Sequence, residues 1–155
     1  MTRYPILFSR RDRVRTEHFT AGIFVAGRIL VTSEDDGVFW AEAVSPGGVA
    51  EKGDSVSSAL SALCKSYYEV LLDIAEGEED FASFKAAAER FFFDTNTTAL
   101  REWEEAVLQV RAGEVDLKEM GRRPSETQIG MQVVSLPHQT AAPKKPEVHE
   151  ESLAA

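Results

Sequence analysis

The sequence predicts an α+β fold in which a small antiparallel β-sheet packs on one long helix, with a helical extension behind it. Three observations carry that expectation. β-Branched and aromatic runs flank the turn-forming Asp36-Gly37 and Ser45-Pro46-Gly47-Gly48, Ser55 to Ala75 repeats apolar residues at helical spacing, and further helical patterns follow Gly77. At 155 residues the chain can form one domain with a core, and its 43% hydrophobic content is ordinary for a globular protein.

Residues 1–18 read as a basic N-terminal arm, because Arg3, Arg10, Arg11, Arg13 and Arg15 outnumber Asp12 and Glu17 there. Such a stretch suits a phosphate backbone or an acidic surface; equally, it suits a solvated leader or an outer strand edge protected by charge. The apolar run Tyr4 to Phe8 is too short for a secretory signal or a membrane span, so a cytoplasmic protein with no membrane partner is expected.

Residues 19–76 read as a β-β-β-α core. Phe19 to Thr32 is apolar and β-branched, and Gly27 within it marks a bulge or a bend. Asp36-Gly37 suits a two-residue primed hairpin turn, since glycine accepts positive φ. Val38 to Val44 is the return strand, Pro46-Gly47-Gly48 ends it, and Val49 to Lys52 forms a third short strand. Asp54 or Ser55 caps the helix that follows, whose apolar stripe is Val56, Leu60, Leu63, Tyr67, Val70 and Ile74.

Residues 77–120 read as a helical pair, an insertion or extension. Phe81, Phe84, Ala88, Phe91 and Phe92 recur at helical spacing, Asp94 to Thr98 interrupts them, and Leu100, Trp103, Val107 and Val110 resume the pattern up to Gly113. These aromatics suit core packing, with a partner groove or dimer interface as the other use. Residues 126–136 alternate as a further strand, and residues 137–155, rich in Pro, Ala and charge, read as a disordered tail.

The net charge of −9 speaks against a surface devoted to nucleic acid and suits a basic protein partner. No catalytic residue, metal site, cofactor or small-molecule substrate is expected. His18, His138 and His149 are far apart, no phosphate-binding loop or nucleophile elbow occurs, and Cys64 lies alone in a helical pattern as a small core residue. Glu34, Asp35 and Asp36 form the densest acidic cluster, but neighbouring acids in a turn diverge rather than converge on a metal.

The ordered set Glu34, Asp36, Gly37, Phe39, Trp40, Glu42, Pro46, Gly47, then Gly53, Asp54, Ser55, Ala59 and Leu60 resembles the HicB-like antitoxin family over roughly residues 20–75. The resemblance implies a partial ribonuclease-H-like sheet on one long helix, in a cytoplasmic protein that inhibits rather than cleaves. It implies a partner, a small basic RNA-cleaving toxin of the HicA type whose active surface is covered. Glu34, Asp35, Asp36, Trp40 and Glu42 are the partner-binding candidates, the acids for cationic groups and Trp40 as an outward anchor. A homodimer is implied as well. Many members bind operator DNA through a C-terminal helical motif, but neither helix after Gly77 has a basic recognition face, so DNA binding is not expected here. The alternative is a solitary interaction or regulatory domain of the same fold that dimerises through its helical extension and has no toxin.

Overall fold

Strand β2 (Thr20–Ser33) pairs along its whole length with β1 (Thr2–Arg15) in a long antiparallel hairpin. Thr16 N–H donates to Phe19 O at 2.9 Å across the Glu17-His18 turn. On its other edge β2 pairs with β3 (Phe39–Ser45) through residues 28–33 and with β5 (Gly130–Leu136) through residues 20–26. β4 (Ala50–Gly53) follows β3 at the far side, giving a five-stranded antiparallel sheet. Three helices complete the α+β fold: α1 (Val56–Glu76), α2 (Phe81–Phe93) and α3 (Thr97–Arg111). This computed structural model describes residues 1–116 and 128–139.

The sheet is covered on both faces because β1 and β2 are apolar on both. Neighbouring strand residues point to opposite sides. Ile6, Phe8, Ile29 and Val31 enter one core with α1 and α2, while Leu7 and Leu30 enter a second core with Trp103 of α3. The helical segment is therefore not a hairpin of two helices. α2 lies beside α1 over Phe19 and Val133, and α3 crosses the opposite face, because each helix has one apolar stripe and the sheet has two faces to cover. Phe84, Phe92 and Trp103 are all buried, as core packing predicts.

The basic arm expected over residues 1–18 is replaced by β1. Ile6, Phe8, Arg10, Asp12 and Val14, all on one face, are buried against α1, so the alternation along the strand decides its fate and not its net charge. β1 is an outer strand, the other use anticipated for a charged segment.

The meander is as expected in order and differs in detail. The β2–β3 turn is a three-residue loop, Asp35-Asp36-Gly37, closed by Glu34 N–H to Val38 O; Gly37 takes φ +77° and its N–H returns to Glu34 O. The irregularity falls on β3 rather than at Gly27: the register shifts between Arg28 and Ile29, leaving Val44 as the additional residue. Gly27 is instead where the Phe8 ring crosses β2, since a Cβ there would stand 2.6 Å from Phe8 Cε1. Ser55 caps α1 in a reciprocal box with Ser58, whose hydroxyl also donates to Asp54 Oδ1 at 2.8 Å.

The buried face of α1 is Ala59, Leu63, Cys64, Tyr67, Leu71 and Ala75, a stripe rotated from the one the larger side chains marked. Leu63 and Tyr67 remain in it, whereas Val56, Leu60, Val70 and Ile74 flank it half-buried. Small residues at Ala59 and Ala75 let the helix approach the sheet, and the flank is covered by Phe81 and Phe91 of α2. Cys64 is a buried free thiol.

The Pro46-Gly47 corner is bonded to the α2–α3 connection. Gly47 N–H donates to Asp94 O at 2.7 Å and Asn96 N–H to Val44 O at 3.0 Å, while Asn96 Oδ1 caps α3. A Cβ on Gly47 would stand 2.7 Å from Asn96 N, so no larger residue fits without moving this joint. The further strand is present as β5 from Gly130, with Met131 and Val133 on the α1 face. Within the segment expected as a tail from position 137, His138 is held by Thr20 Oγ1 and Glu17 O, each at 2.9 Å. Residues 117–120, 126–127 and 140–155 of the sequence expectations lie outside the described residues.

Gly47→Ala is expected to lower stability by about 2 kcal/mol by urea denaturation, because it overpacks a backbone joint. Gly130→Ala, whose Cβ meets nothing within 4 Å, should stay within about 0.5 kcal/mol of the parent.

Candidate functional site

Three adjoining strands and one turn build the candidate interaction surface at the end of the sheet where β2 and β3 meet. Glu34, Asp35 and Asp36 are exposed there. Asp36 Oδ1 accepts from Val38 N–H at 3.0 Å, which sets the turn; no bond within the described structure restrains the carboxylates of Glu34 and Asp35. Trp40 is 46% exposed on β3 and faces Thr32 on one side and Lys52 on the other. Strand alternation puts Glu34, next to Val38, on the same side as Trp40. Across Thr32 the row continues to Arg3, whose guanidinium pairs with Glu105 of α3 at 3.3 Å.

Four of the five candidate residues therefore share one accessible end. Glu42 does not join them. Its Oε1 accepts from Asn96 Nδ2 at 2.9 Å, so its carboxylate ties β3 to the α3 cap and is half-buried. Nothing local to Glu42 signalled that bond, because its partner lies fifty-four positions away.

A second polar group was hidden by the charge count. Arg10 and Asp12 lie two residues apart on the α1 side of β1, and both are buried. Arg10 Nη2 donates to Asp12 Oδ1 at 3.0 Å and Nε to Oδ2 at 3.2 Å, a two-pronged pair. The guanidinium sits 5.9 Å from the Tyr67 ring centroid, and Tyr67 in turn stacks on Phe91 and meets Phe8 edge-on. Burial pulls the Arg10 guanidinium down, but the hydrogen bonds and charge of Asp12, joined by a smaller contribution from Cys64, outweigh it and hold it above its ordinary value. Burial, then the charge of Asp12, pushes the Tyr67 phenol well above its ordinary 10. Tyr67 Oη finds no hydrogen-bond partner among the described residues, whereas Tyr68 Oη donates to Arg13 O at 3.2 Å. The signal in the sequence was the alternation Ile6, Phe8, Arg10, Asp12, Val14.

This cluster is a closed ion pair under a helix. Among the described residues no group of three or more His, Cys, Asp or Glu side chains is placed to hold a metal ion, and no helix is long and apolar enough to cross a membrane. No protein-family model, curated protein or solved structure matches this chain.

Asp12→Ala is expected to destabilise the fold by about 3 to 5 kcal/mol, because it strands a buried guanidinium, while Arg10→Met with Asp12→Leu should recover most of that loss. Chemical denaturation of the three variants checks this. Tyr67→Phe removes a hydroxyl with no protein partner and should cost under about 1 kcal/mol. The folded phenol titrates above its unfolded value, so its contribution to stability is complete below about pH 10 and declines as pH rises beyond it. Tyr67→Phe should therefore lose stability less steeply than the parent above that pH.

Proposed function

We propose that this chain is a HicB-like antitoxin, acting in the cytoplasm to neutralise a small basic RNA-cleaving toxin of the HicA type by covering its active surface. The observation that carries the reading is the β2–β3–β4–α1 unit, a meander entering a Ser55-capped helix, whose exposed turn presents Glu34, Asp35 and Asp36 beside Trp40. Three antiparallel strands entering one long helix support the HicB-like reading, and β1, α2, α3 and β5 surround them.

The physical argument is complementarity. A nuclease that binds RNA phosphates presents cationic groups, and a protein that displaces RNA must offer anions in their place. The turn carboxylates supply the anions, and a half-exposed indole supplies an anchor of the kind that dominates binding energy. Glu42 contributes indirectly by holding β3 against α3. The rival reading, a homodimer built from the helical extension, has less to rest on, because Phe84, Phe92 and Trp103 lie inside this fold and Phe93 and Leu108 are the large apolar side chains those helices expose.

Co-expression with the product of the neighbouring reading frame should rescue growth, and pull-down of that product should weaken as salt rises. Reversing Glu34, Asp35 and Asp36 to Lys should cost about tenfold or more in affinity, and Trp40→Ala about 2 kcal/mol. Capture that ignores both changes would place the toxin elsewhere or remove it.

A further inference from the structure

β1 pairs with β2 and with no other described strand, so it is an outer edge of the sheet. The hairpin closes on a bonded pair, with Thr16 N–H donating to Phe19 O and Phe19 N–H to Thr16 Oγ1, and an antiparallel ladder alternates bonded with non-bonded pairs. Even-numbered residues of β1 therefore direct their backbone groups at β2, and odd-numbered residues aim theirs outward. Pro5, which has no N–H to offer, stands at one of these outward positions, where a strand edge tolerates it. Tyr68 occupies the outward carbonyl of Arg13, and Pro5 to Phe8 are buried, so the accessible part of the edge begins at Ser9; among the described residues no hydrogen bond occupies the outward groups of Ser9 or Arg11.

The same odd positions carry Arg11, Arg13 and Arg15 on the face that α3 leaves uncovered. Arg11 and Arg13 are exposed, and Arg15 is half-buried and donates to Gln139 O. Their cross-strand neighbours are Phe24, Gly22 and Thr20, and the next strand adds Gln132, Val134 and Leu136, none of them a carboxylate. Phe24 is 39% exposed beneath the Arg11 guanidinium, 5.7 Å from its ring centroid, and Val134 is 45% exposed. Asp12 is turned to the opposite face and engaged by Arg10.

We propose that the outer edge of β1, around residues 9–13, takes up an extended acidic segment of a partner protein as an added strand. Backbone bonds to the outward groups supply affinity, and carboxylates at alternate positions meet Arg11 and Arg13, because both strands repeat every two residues, about 6.6 Å. The aliphatic part of the partner rests toward Phe24 and Val134. A second copy of this chain is the wrong occupant, since antiparallel self-pairing over residues 9–13 sets Arg11 against the same arginine of the other copy. Nucleic acid is disfavoured by the net charge of −9, which repels a polyanion far more than a short acidic strand. The surface lies roughly 30 Å along β2 from the Glu34 turn and takes a partner of the opposite charge, so it goes beyond the antitoxin reading.

The test is fluorescence anisotropy of the full chain with a labelled peptide alternating Thr and Glu, long enough to pair with residues 9–13. Three controls accompany it: the same peptide with Gln for Glu, the same peptide N-methylated at alternate residues, and a mixed-sequence single-stranded oligonucleotide. Binding of the acidic peptide, weakened about tenfold or more by Gln, by N-methylation and by R11E with R13E in a chain of unchanged circular dichroism, is the expected result. Insensitivity to N-methylation overturns strand addition, because charge alone then explains the binding. Binding of the oligonucleotide but not the peptide overturns it in favour of nucleic acid. Binding of neither overturns it too, leaving the arginines as guards of the edge, and concentration-dependent self-association abolished by R11E with R13E overturns it in favour of a second copy.

Discussion

The structure depends on one strand being apolar on both sides. β2 is paired on one edge along its full length and on the other by two different strands, and its side chains enter two separate cores. Ile29 and Val31 are fully buried on one face and Leu30 on the other, so neither face can be left to water. Every other element follows from covering this strand. β1 protects its long edge, α1 and α2 cover one side, α3 covers the other, and β5 completes the half that β3 does not reach.

Glycine and small side chains make this closure possible. Gly27 admits the Phe8 ring across β2, Gly47 admits the backbone of the α2–α3 connection, and Ala59 and Ala75 bring α1 onto the sheet. α3 depends most on such joints, because it is held by Trp103 Nε1 donating to Ile6 O at 3.2 Å, by the Arg28 guanidinium 5.2 Å from the indole centroid, and by the Asn96 cap shared with Glu42. Two cores and a bonded corner therefore replace the helical appendage that a linear reading of residues 77–120 produces.

Along the β2 ladder the exposed charges separate by sign. One end of β2 opens into Glu34, Asp35 and Asp36, and the other lies beside Arg11, Arg13 and Arg15. The buried Arg10–Asp12 pair sits in the same strand as the exposed arginines but on its opposite face, and its near-neutral sum leaves the outward row as the field a partner meets. A net charge of −9 thus conceals an exposed arginine row on β1.

The sequence by itself determined whatever is set within a few residues. A turn at Asp36-Gly37, one residue longer than the two-residue form expected, the Ser55 cap, the end of β3 at Pro46, the long helix through Leu63 and Tyr67, and the alternation of Met131 and Val133 follow local preferences. Only the tertiary structure decided that β1 pairs along the whole of β2, that α2 and α3 lie on opposite faces, that the stripe of α1 turns toward Ala59, and that Glu42 is engaged by Asn96. The reason is distance along the chain. A strand's edge is chosen by its partner, a helix's face by the surface it meets, and a carboxylate's role by a donor tens of residues away, none of which a local pattern of charge and hydrophobicity contains.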